Sequence, residues 1–255
     1  MERRALTDGL HALVPEGMES RGFLAAFTER RGGVSEPPYE SLNLGLHTGD
    51  RADVVAENRR LVVRTLGLER WAAGEQVHGG DVVRVDQRTA SRGWDEPPID
   101  GADALAVAQA GLSVAVLTAD CLPIALASPL EGLLVAVHAG WRGLAAGIID
   151  AALASFERPG EIHAAIGPAI GPCHYEVGED VARAVAEGSA AGAVTDRRNG
   201  RLHLDLPATA VRALRAGGVR RIDPAGLCTS CEEDRFFSHR RDGITGRQAL
   251  VAVRL

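Results

Sequence analysis

The amino-acid sequence predicts an α+β fold, in which a single domain contains mixed β-sheets flanked by helices. Strand-like and helix-like segments occur along the whole chain, but they do not alternate as regularly as in a doubly wound parallel sheet. The 255 residues are enough for one large domain, and no repeat or long linker divides them. We therefore expect residues 1–255 to form one domain, with residues 1–20 as a loosely packed N-terminal extension.

Seven short segments rich in apolar and β-branched residues predict strands. They are Phe23–Thr28, Val82–Asp86, Ala102–Val107, Ser113–Thr118, Leu133–His138, Arg201–Leu206 and Ala249–Val253. Four further segments carry apolar residues at helical spacing. They are Asp53–Leu66, Trp141–Phe156, Val177–Glu187 and Pro207–Ala216. The last helix is bounded in the expected way, because proline is tolerated in a first turn and Gly217 follows the final residue.

The composition excludes several classes of mechanism. All 28 basic residues are arginine, so a Walker A lysine, a Schiff base and a pyridoxal phosphate anchor are excluded. The formal net charge is −6, and no basic run is interleaved with aromatic residues. This balance argues against nucleic acid as a partner.

Neither a membrane span nor a secreted disulfide scaffold is predicted. The longest apolar stretch, Gly111–Ala127, is interrupted by Asp120 before it reaches the roughly 18 residues that a span requires. Asp8 and His11 interrupt the N-terminal segment that a signal peptide would need. The four cysteines are few and unevenly spaced, which is typical of thiols or metal ligands in a reducing compartment. We expect a cytoplasmic protein with no membrane partner.

The most informative strand ends in His138 and turns through Gly140 into a predicted helix that begins at Trp141. Glycine lets a ligand approach the backbone, and a helix N-terminus offers free N–H groups. Arg142 adds a planar guanidinium that suits phosphate or carboxylate. This pattern predicts an anion site beside His138. The alternative is that His138 only ends a strand and Arg142 pairs with a surface acid.

Two other segments place reactive side chains at the ends of predicted strands. Asp120 and Cys121 follow one strand, and His78 precedes paired glycines and another strand. His78, Cys121 and His138 would form a set of two nitrogens and one sulfur, which leaves an open position as in catalytic zinc sites. Their separations of 43 and 17 residues match no zinc-finger spacing. Taken singly, Cys121 could be an inert apolar residue and Asp120 a turn residue.

A rival metal site is suggested by the pair Cys228 and Cys231, with His239 downstream. One Cys-x-x-Cys pair is a common half of a structural zinc site. The sequence offers no evident fourth ligand for it.

Ordered motifs along nearly the whole chain resemble the laccase-like, multicopper polyphenol oxidoreductase family, members of which have been reassigned as zinc-dependent purine nucleoside phosphorylases. The matching segments are Thr28–Ser35, Ser41–Asp50, Asn58–Arg59, Gln76–Gly79, Thr118–Pro123, Val137–Gly143, Ile170–Gly178, Cys228–Thr229 and Phe237–Arg241. The resemblance implies that His78, Cys121 and His138 are the metal ligands and the catalytic residues. The one departure noted is His174 after Cys173, which leaves this ligand set intact.

The resemblance also implies an activity. Adenosine, inosine or 5′-methylthioadenosine would react with phosphate to give the base and a sugar 1-phosphate, and adenosine would also be deaminated. The implied partners are therefore purine nucleosides and phosphate. For phosphate or sugar contacts we expect Asn43, Arg59 and Arg142, because amides and guanidinium groups bind such oxygens well. The alternative for Arg59 is a solvated position on the helix Asp53–Leu66.

Copper oxidase activity is disfavoured on composition. Multicopper centres need many imidazoles, usually supplied as His-x-His pairs, and this chain has eight histidines and no such pair. We therefore expect Zn²⁺, although the same donors could bind copper. A second hypothesis is a cysteine hydrolase or amidase acting on peptidoglycan precursors, with Cys121 as nucleophile and His138 as base. A third is a non-catalytic nucleotide-binding or redox module.

Overall fold

The computed structural model describes residues 1–7, 9–189 and 191–255, and Asp8 therefore lies outside the described residues. Within these ranges the strands are β1 (Glu2–Thr7), β2 (Leu10–Val14), β3 (Phe23–Thr28), β4 (Trp71–Ala73), β5 (Val82–Val85), β6 (Ala104–Val107), β7 (Ser113–Thr118), β8 (Leu122–Ser128), β9 (Leu133–Ala139), β10 (His163–Ile166), β11 (Thr195–Arg198), β12 (Arg201–Leu204), β13 (Arg221–Pro224) and β14 (Gln248–Arg254). The helices are α1 (Ala52–Thr65), α2 (Trp141–Ala145), α3 (Ile148–Leu153), α4 (Glu179–Gly188), α5 (Leu206–Ala216) and α6 (His239–Asp242). None of these helices has the length and apolar character needed to cross a membrane.

Twelve of these strands form two six-stranded sheets. The first has the order β1-β2-β3-β14-β7-β4 and the second has the order β13-β10-β8-β9-β6-β5, while β11 and β12 form a separate ribbon. Both sheets are mixed, because β4 runs parallel to β7, β5 to β6 and β10 to β13, whereas the other neighbours are antiparallel. The α+β prediction is confirmed.

The alternation of side chains along β7 explains how the first sheet is covered. Val114 and Val116 point into a core that is shared with the second sheet. Ala115 and Leu117 point to the opposite face, where they pack in one cluster with Val62 of α1. A strand that is apolar at every position is therefore buried on both faces.

The second sheet follows the same rule, which gives four layers in all. On β9, Leu134 and Ala136 face the first sheet, whereas Val135 and Val137 face the helices. The helical layer on that side includes α2, α3 and α5. The layers therefore run from α1 through the two sheets to α2, α3 and α5, with fully apolar strands between them.

Most predicted elements are present, with bounds within two residues of those expected, but one helix was predicted wrongly. The stretch Trp141–Phe156 is not continuous, because α2 ends at Ala145 and α3 begins only at Ile148. Gly147 lies between them with a φ of 76°, a left-handed conformation that interrupts an α-helix. The helix that starts at Trp141 thus has only five residues, which weakens the dipole argument for an anion site.

The prediction of a loose N-terminal extension is contradicted by the structure. β1 and β2 pair with each other, and β2 continues the first sheet by pairing with β3. Leu10 and Val14 are almost completely buried, and Arg3 makes a two-pronged ion pair with the buried carboxylate of Glu29. The charged residues of β1 hid this edge strand from the sequence analysis, because an edge strand needs few apolar residues.

Candidate metal centre and active site

Three reactive side chains meet at one end of the second sheet. His138 is the penultimate residue of β9, and Cys121 directly precedes β8. β8 and β9 are antiparallel with Leu122 opposite Ala139, so Cys121 lies beside the turn that follows β9. The pairing register therefore brings these residues together although 17 positions separate them in the sequence.

The third member, His78, comes from the loop that precedes β5. Its Nε2 lies 3.7 Å from Cys121 Sγ, and its ring stands edge-on to that of His138 with the centroids 4.8 Å apart. One donor atom from each of His78, Cys121 and His138 lies within 4.8 Å of the other two. We call these three residues the N₂S cluster. Two imidazoles and a thiol at this separation suit a zinc ion with a fourth position left open.

The carboxylate of Asp103, which was not predicted from the sequence, orients the His138 imidazole and holds the backbone of His78. It accepts hydrogen bonds from His138 Nδ1 at 2.8 Å, from the His78 backbone N–H at 3.0 Å and from the Gly79 N–H at 2.6 Å. Because Nδ1 of His138 is committed as a donor, its Nε2 is left to face the N₂S cluster. Burial alone would raise the pKa of Asp103, but these donors lower it below its usual range. The carboxylate therefore stays charged.

Cys121 and His138 strongly influence each other's protonation. Burial would raise the pKa of the Cys121 thiol, but the imidazoles of His138 and His78 lower it to about 6. Burial would lower the pKa of His138, but the Cys121 thiolate and Asp103 raise it to about 9. In the metal-free protein near neutral pH, the pair is therefore a thiolate beside an imidazolium. A thiolate is the form of cysteine that binds metals and attacks electrophiles.

Gly140 leaves the space that the cluster occupies. A Cβ at this position would lie 2.9 Å from Cys121 Sγ and 3.0 Å from the ring of His78. These contacts are too short for a side chain to be accommodated without movement. The glycine predicted to allow ligand approach therefore makes room for the N₂S cluster itself.

Asp120 anchors the turn that presents Cys121. Its φ of 91° is unusual for a residue with a side chain. The carboxylate accepts hydrogen bonds from Thr229 Oγ1 and from the Arg240 backbone N–H, both at 2.6 Å. The backbone of His78 also has a positive φ, of 62°. Strained backbone beside two of the three cluster members is typical of functional sites.

Two of the residues expected to contact phosphate have other roles in this structure. Asn43 is fully buried, and its amide bonds to Thr48, Asp50 and backbone groups of the 43–50 loop. Arg59 is 3% exposed and donates to the carbonyls of Leu44, Gly93 and Trp94. Burial lowers the pKa of Arg59 to about 10. Both side chains hold loops in place. Arg59 is on helix α1, as predicted, but it is buried, so the solvated position that was its alternative is not observed.

Arg142, in contrast, is exposed and packs over the ring of Trp141 at 4.4 Å. It forms no ion pair with any acidic residue in the described part of the chain. The alternative in which Arg142 pairs with a surface acid is therefore not observed. Its guanidinium is available to an anion.

Two further residues near the cluster were not predicted as site residues: Tyr175 lies in a segment that carries the family resemblance, and Arg247 had no sequence signal. Burial raises the pKa of Tyr175 to about 12, and the negative charge of Cys121 contributes to this rise. Burial lowers the pKa of Arg247, while Cys121 and Asp120 oppose that shift. Both side chains are thus within electrostatic reach of Cys121 and belong to its surroundings.

The proposed set of Cys228, Cys231 and His239 was wrong in one member. His239 begins α6, and its Nδ1 bonds to the carbonyl of Gly243 at 2.7 Å. The two cysteines instead lie next to Cys173 and His174, in a group separate from the N₂S cluster.

Comparison with known proteins shows which family the chain belongs to. Residues 24–254 match the family model described as multi-copper polyphenol oxidoreductase laccase. The chain belongs to this family. The match covers both sheets from β3 onward and all three residues of the N₂S cluster, and the predicted family membership is confirmed.

Several relatives of the chain are named purine nucleoside phosphorylases. The chain is 40% identical over 231 residues to a purine nucleoside phosphorylase of Corynebacterium glutamicum, covering 88% of this chain and 92% of the relative. It is 39% identical over 243 residues to the purine nucleoside phosphorylase YfiH of Escherichia coli, covering 93% and 96%.

Solved structures of the family agree with the fold. The crystal structure of YlmD from Geobacillus stearothermophilus superposes with a TM-score of 0.87 at 38% identity, covering 91% of this chain and 92% of that one. The hypothetical protein YfiH of Bacillus licheniformis gives a TM-score of 0.89 at 31% identity, with 98% of both chains covered.

Proposed function

We propose that this protein is a zinc-dependent purine nucleoside phosphorylase that also deaminates adenosine. The observation that carries this proposal is the N₂S cluster, in which three converging ligands leave a position open. Arg142, four residues after His138 in the sequence, adds an exposed guanidinium. The names of relatives that are about 40% identical over most of the chain support the reaction class.

The donor set fits zinc. A thiolate and two imidazoles are typical zinc ligands, and three protein ligands distinguish catalytic from structural sites. His78, Cys121 and His138 would hold the ion, and Asp103 would keep His138 in the tautomer that binds it. When bound, zinc supplies Lewis acidity at the open position.

The phosphorolysis itself requires the chain to hold two substrates in line. A phosphate oxygen forms a bond to C1′ of the sugar while the bond from C1′ to the purine nitrogen breaks, and the purine leaves with that electron pair. We assign Arg142 to the phosphate, because its guanidinium is exposed, charged and not neutralised by an acid. Holding the reactants in this geometry accounts for a large share of the rate enhancement of such reactions.

The deaminase activity is a separate part of the proposal. Water adds at C6 of adenine and ammonia leaves, so adenosine is converted to inosine without any need for phosphate. Adenosine is therefore the informative substrate. Phosphorolysis converts adenosine to adenine and requires phosphate. Deamination converts adenosine to inosine with or without phosphate, so the two products distinguish the two activities.

The test measures products of adenosine, inosine and 5′-methylthioadenosine by chromatography, with and without phosphate. We expect free base and sugar 1-phosphate only when phosphate is present, loss of both with a chelator, and recovery with zinc. Base release at the same rate without phosphate would make the protein a nucleoside hydrolase. An exposed arginine on α1, Arg64, provides the matched control for Arg142, because Arg64→Ala should leave the phosphate dependence unchanged.

A cysteine hydrolase is the second candidate, and the Cys121 pKa of about 6 beside His138 favours it. In that reading Cys121 attacks an amide carbon, and His138 transfers the proton to the leaving amine. Chelation would leave such an enzyme active, whereas alkylation of Cys121 would inactivate it. Activity that is lost with a chelator and restored by zinc would eliminate this candidate.

A further inference from the structure

A second group of metal-binding side chains lies on two tight turns outside the N₂S cluster. It consists of Cys173, His174, Cys228 and Cys231, which we call the S₃N cluster. One donor atom from each residue lies within 4.8 Å of all the others. Of these four residues, the sequence pattern predicted only Cys228 and Cys231 as members of one site.

The sheet topology explains why these residues meet. β10 and β13 are parallel neighbours in the second sheet, and their pairing is extended by a bridge between Ala169 and Cys228. The carboxyl ends of parallel strands lie at the same edge, so the turns that follow them are brought side by side. Cys173 and His174 are on one turn, and Cys228 and Cys231 are on the other.

The separations match those of a tetrahedral zinc site. Cys173 Sγ lies 3.5 Å from Cys231 Sγ, and His174 Nδ1 lies 3.4 Å from Cys231 Sγ and 3.9 Å from Cys228 Sγ. A tetrahedron with Zn–S of ~2.3 Å and Zn–N of ~2.1 Å has edges of about 3.6–3.8 Å, within a few tenths of an ångström of these distances. Three sulfurs and one imidazole nitrogen also form one of the common donor sets of structural zinc.

The backbone supports the arrangement. The Gly171 N–H donates to Cys228 Sγ at 3.2 Å, the kind of contact that stabilises a metal-bound thiolate. Each turn is closed by its own hydrogen bonds, from His174 N to Gly171 O and from Cys231 N to Cys228 O. A Cβ at position 171 would lie 3.3 Å from Cys173 Sγ, so glycine leaves room for the sulfurs.

We propose that Cys173, His174, Cys228 and Cys231 bind a second Zn²⁺, a structural ion that joins the two turns. With four protein ligands no position is left for substrate, so this ion is closed and non-catalytic. The proposal does not depend on the proposed nucleoside chemistry.

The second ion would also brace the catalytic end of the sheet. Thr229, between the two cysteines of one turn, donates to the Asp120 carboxylate next to Cys121. On the other turn, the carbonyl of His174 accepts from the Arg240 guanidinium, and the Arg240 N–H donates to Asp120. Joining the turns therefore fixes both partners of Asp120.

Metal analysis of purified protein, prepared with a reductant and without a chelator, tests the proposal. We expect about two zinc ions per chain in the unaltered protein and about one in Cys121→Ala/His138→Ala, which keeps the S₃N cluster. Cys228→Ser/Cys231→Ser should also hold about one. His239→Ala is the matched control for His174→Ala, because His239 is exposed and near in sequence to this region but is not a member of the cluster.

X-ray absorption spectroscopy of zinc in Cys121→Ala/His138→Ala does not require Cys228→Ser/Cys231→Ser to fold, because the S₃N cluster is intact in this variant. It should show three sulfurs at ~2.3 Å and one nitrogen at ~2.1 Å around zinc. Zinc that is absent from this variant, or zinc bound by another donor set, would overturn the proposal. So would a disulfide between Cys173 and Cys231 that survives the reductant. The zinc count and the donor set decide this proposal, whatever the nucleoside activity of a variant is.

Discussion

The two candidate metal-binding clusters of this protein differ in burial, in number of donors and in the parts of the chain that supply them. The N₂S cluster lies at strand ends, where His138 is 3% exposed and a buried carboxylate orients it. The S₃N cluster lies on turns, and three of its four residues are exposed. Three donors leave room for a reacting group, whereas four donors close the site. On the proposed assignments, the same residue types serve chemistry in one place and support the fold in another.

The largest expected effect is the loss of enzymatic activity when a residue of the N₂S cluster is replaced. Cys121→Ala would remove a direct ligand of the proposed zinc ion, and loss of even an indirect metal-orienting partner typically costs 10–100-fold. We therefore expect nucleoside phosphorolysis to fall by more than ~10²-fold while the protein still folds cooperatively, because a domain of this size does not need a metal to fold. Steady-state kinetics and calorimetry check both halves. A fall in stability as large as the fall in activity would assign the N₂S ion a structural role.

Asp103→Asn should have the next largest effect. The amide keeps the shape of the side chain but loses the charge that holds His138 Nδ1 as a donor, so zinc affinity or activity should fall about 10–100-fold. Asp86→Asn, which changes an exposed carboxylate in a loop after β5, is the control. Competition with a zinc-binding dye measures the affinity. Equal affinity in Asp103→Asn and the unaltered protein would remove Asp103 from the site.

Arg142→Ala should raise the KM for phosphate about tenfold or more, because a hydrogen bond to a charged group contributes roughly 1.5–3 kcal/mol. Zinc content should not change, since Arg142 is not a ligand. Arg64→Ala, with an exposed arginine on α1, should leave the KM unchanged. If Arg142→Ala also leaves it unchanged, phosphate binds elsewhere, and Arg247 becomes the next residue to test.

For the S₃N cluster the expected loss is in stability. A ligand present at 10²–10³ times its Kd stabilises a protein by about 3–4 kcal/mol, which corresponds to roughly 10 °C in a domain of this size. Cys231→Ser should therefore lower the Tm by about 10 °C. Ser230→Ala, within the same turn, should have a smaller effect. An unchanged Tm in Cys231→Ser would show that no stabilising ion joins the turns.

The smallest effect concerns protons released when zinc binds the N₂S cluster. Because the pKa of Cys121 is about 6 and that of His138 is about 9, at pH 7–8.5 the thiol is already ionised and the imidazole is still protonated. Zinc must displace that one proton, so its affinity should rise about tenfold per pH unit in this range. The measurement uses Cys228→Ser/Cys231→Ser, which removes the second site. A hundredfold rise per unit would show that Cys121 also carries a proton there.

Sequence patterns identified those strands whose apolar character is continuous. β3 and β7 have the predicted bounds, because both are buried on the two faces and bounded by turn residues. β8 was not predicted, since Pro123 argues against a central strand. The structure accommodates this proline at the second residue of β8, opposite His138. The edge strand β1 was not predicted because it carries charges and is partly exposed.

The sequence by itself determined which residue types were available for the chemistry. Without lysine, arginine is the only side chain here that is positively charged at every ordinary pH and can bind an anion. The strand-end positions of His78, Cys121 and His138 indicated a possible ligand set. Two expected phosphate contacts, Asn43 and Arg59, were matched by residue type alone. Their burial among loop carbonyls became evident only in the structure.

Only the tertiary structure decided which residues share a site. The parallel pairing of β10 with β13 joins Cys173 and His174 to the Cys228–Cys231 turn, across more than fifty residues of sequence. The antiparallel register of β6 with β9 places Asp103 beside His138 in the same way. A ligand set depends on distances of a few ångströms between side chains. Strand pairing determines those distances, and spacing along the chain does not reveal them.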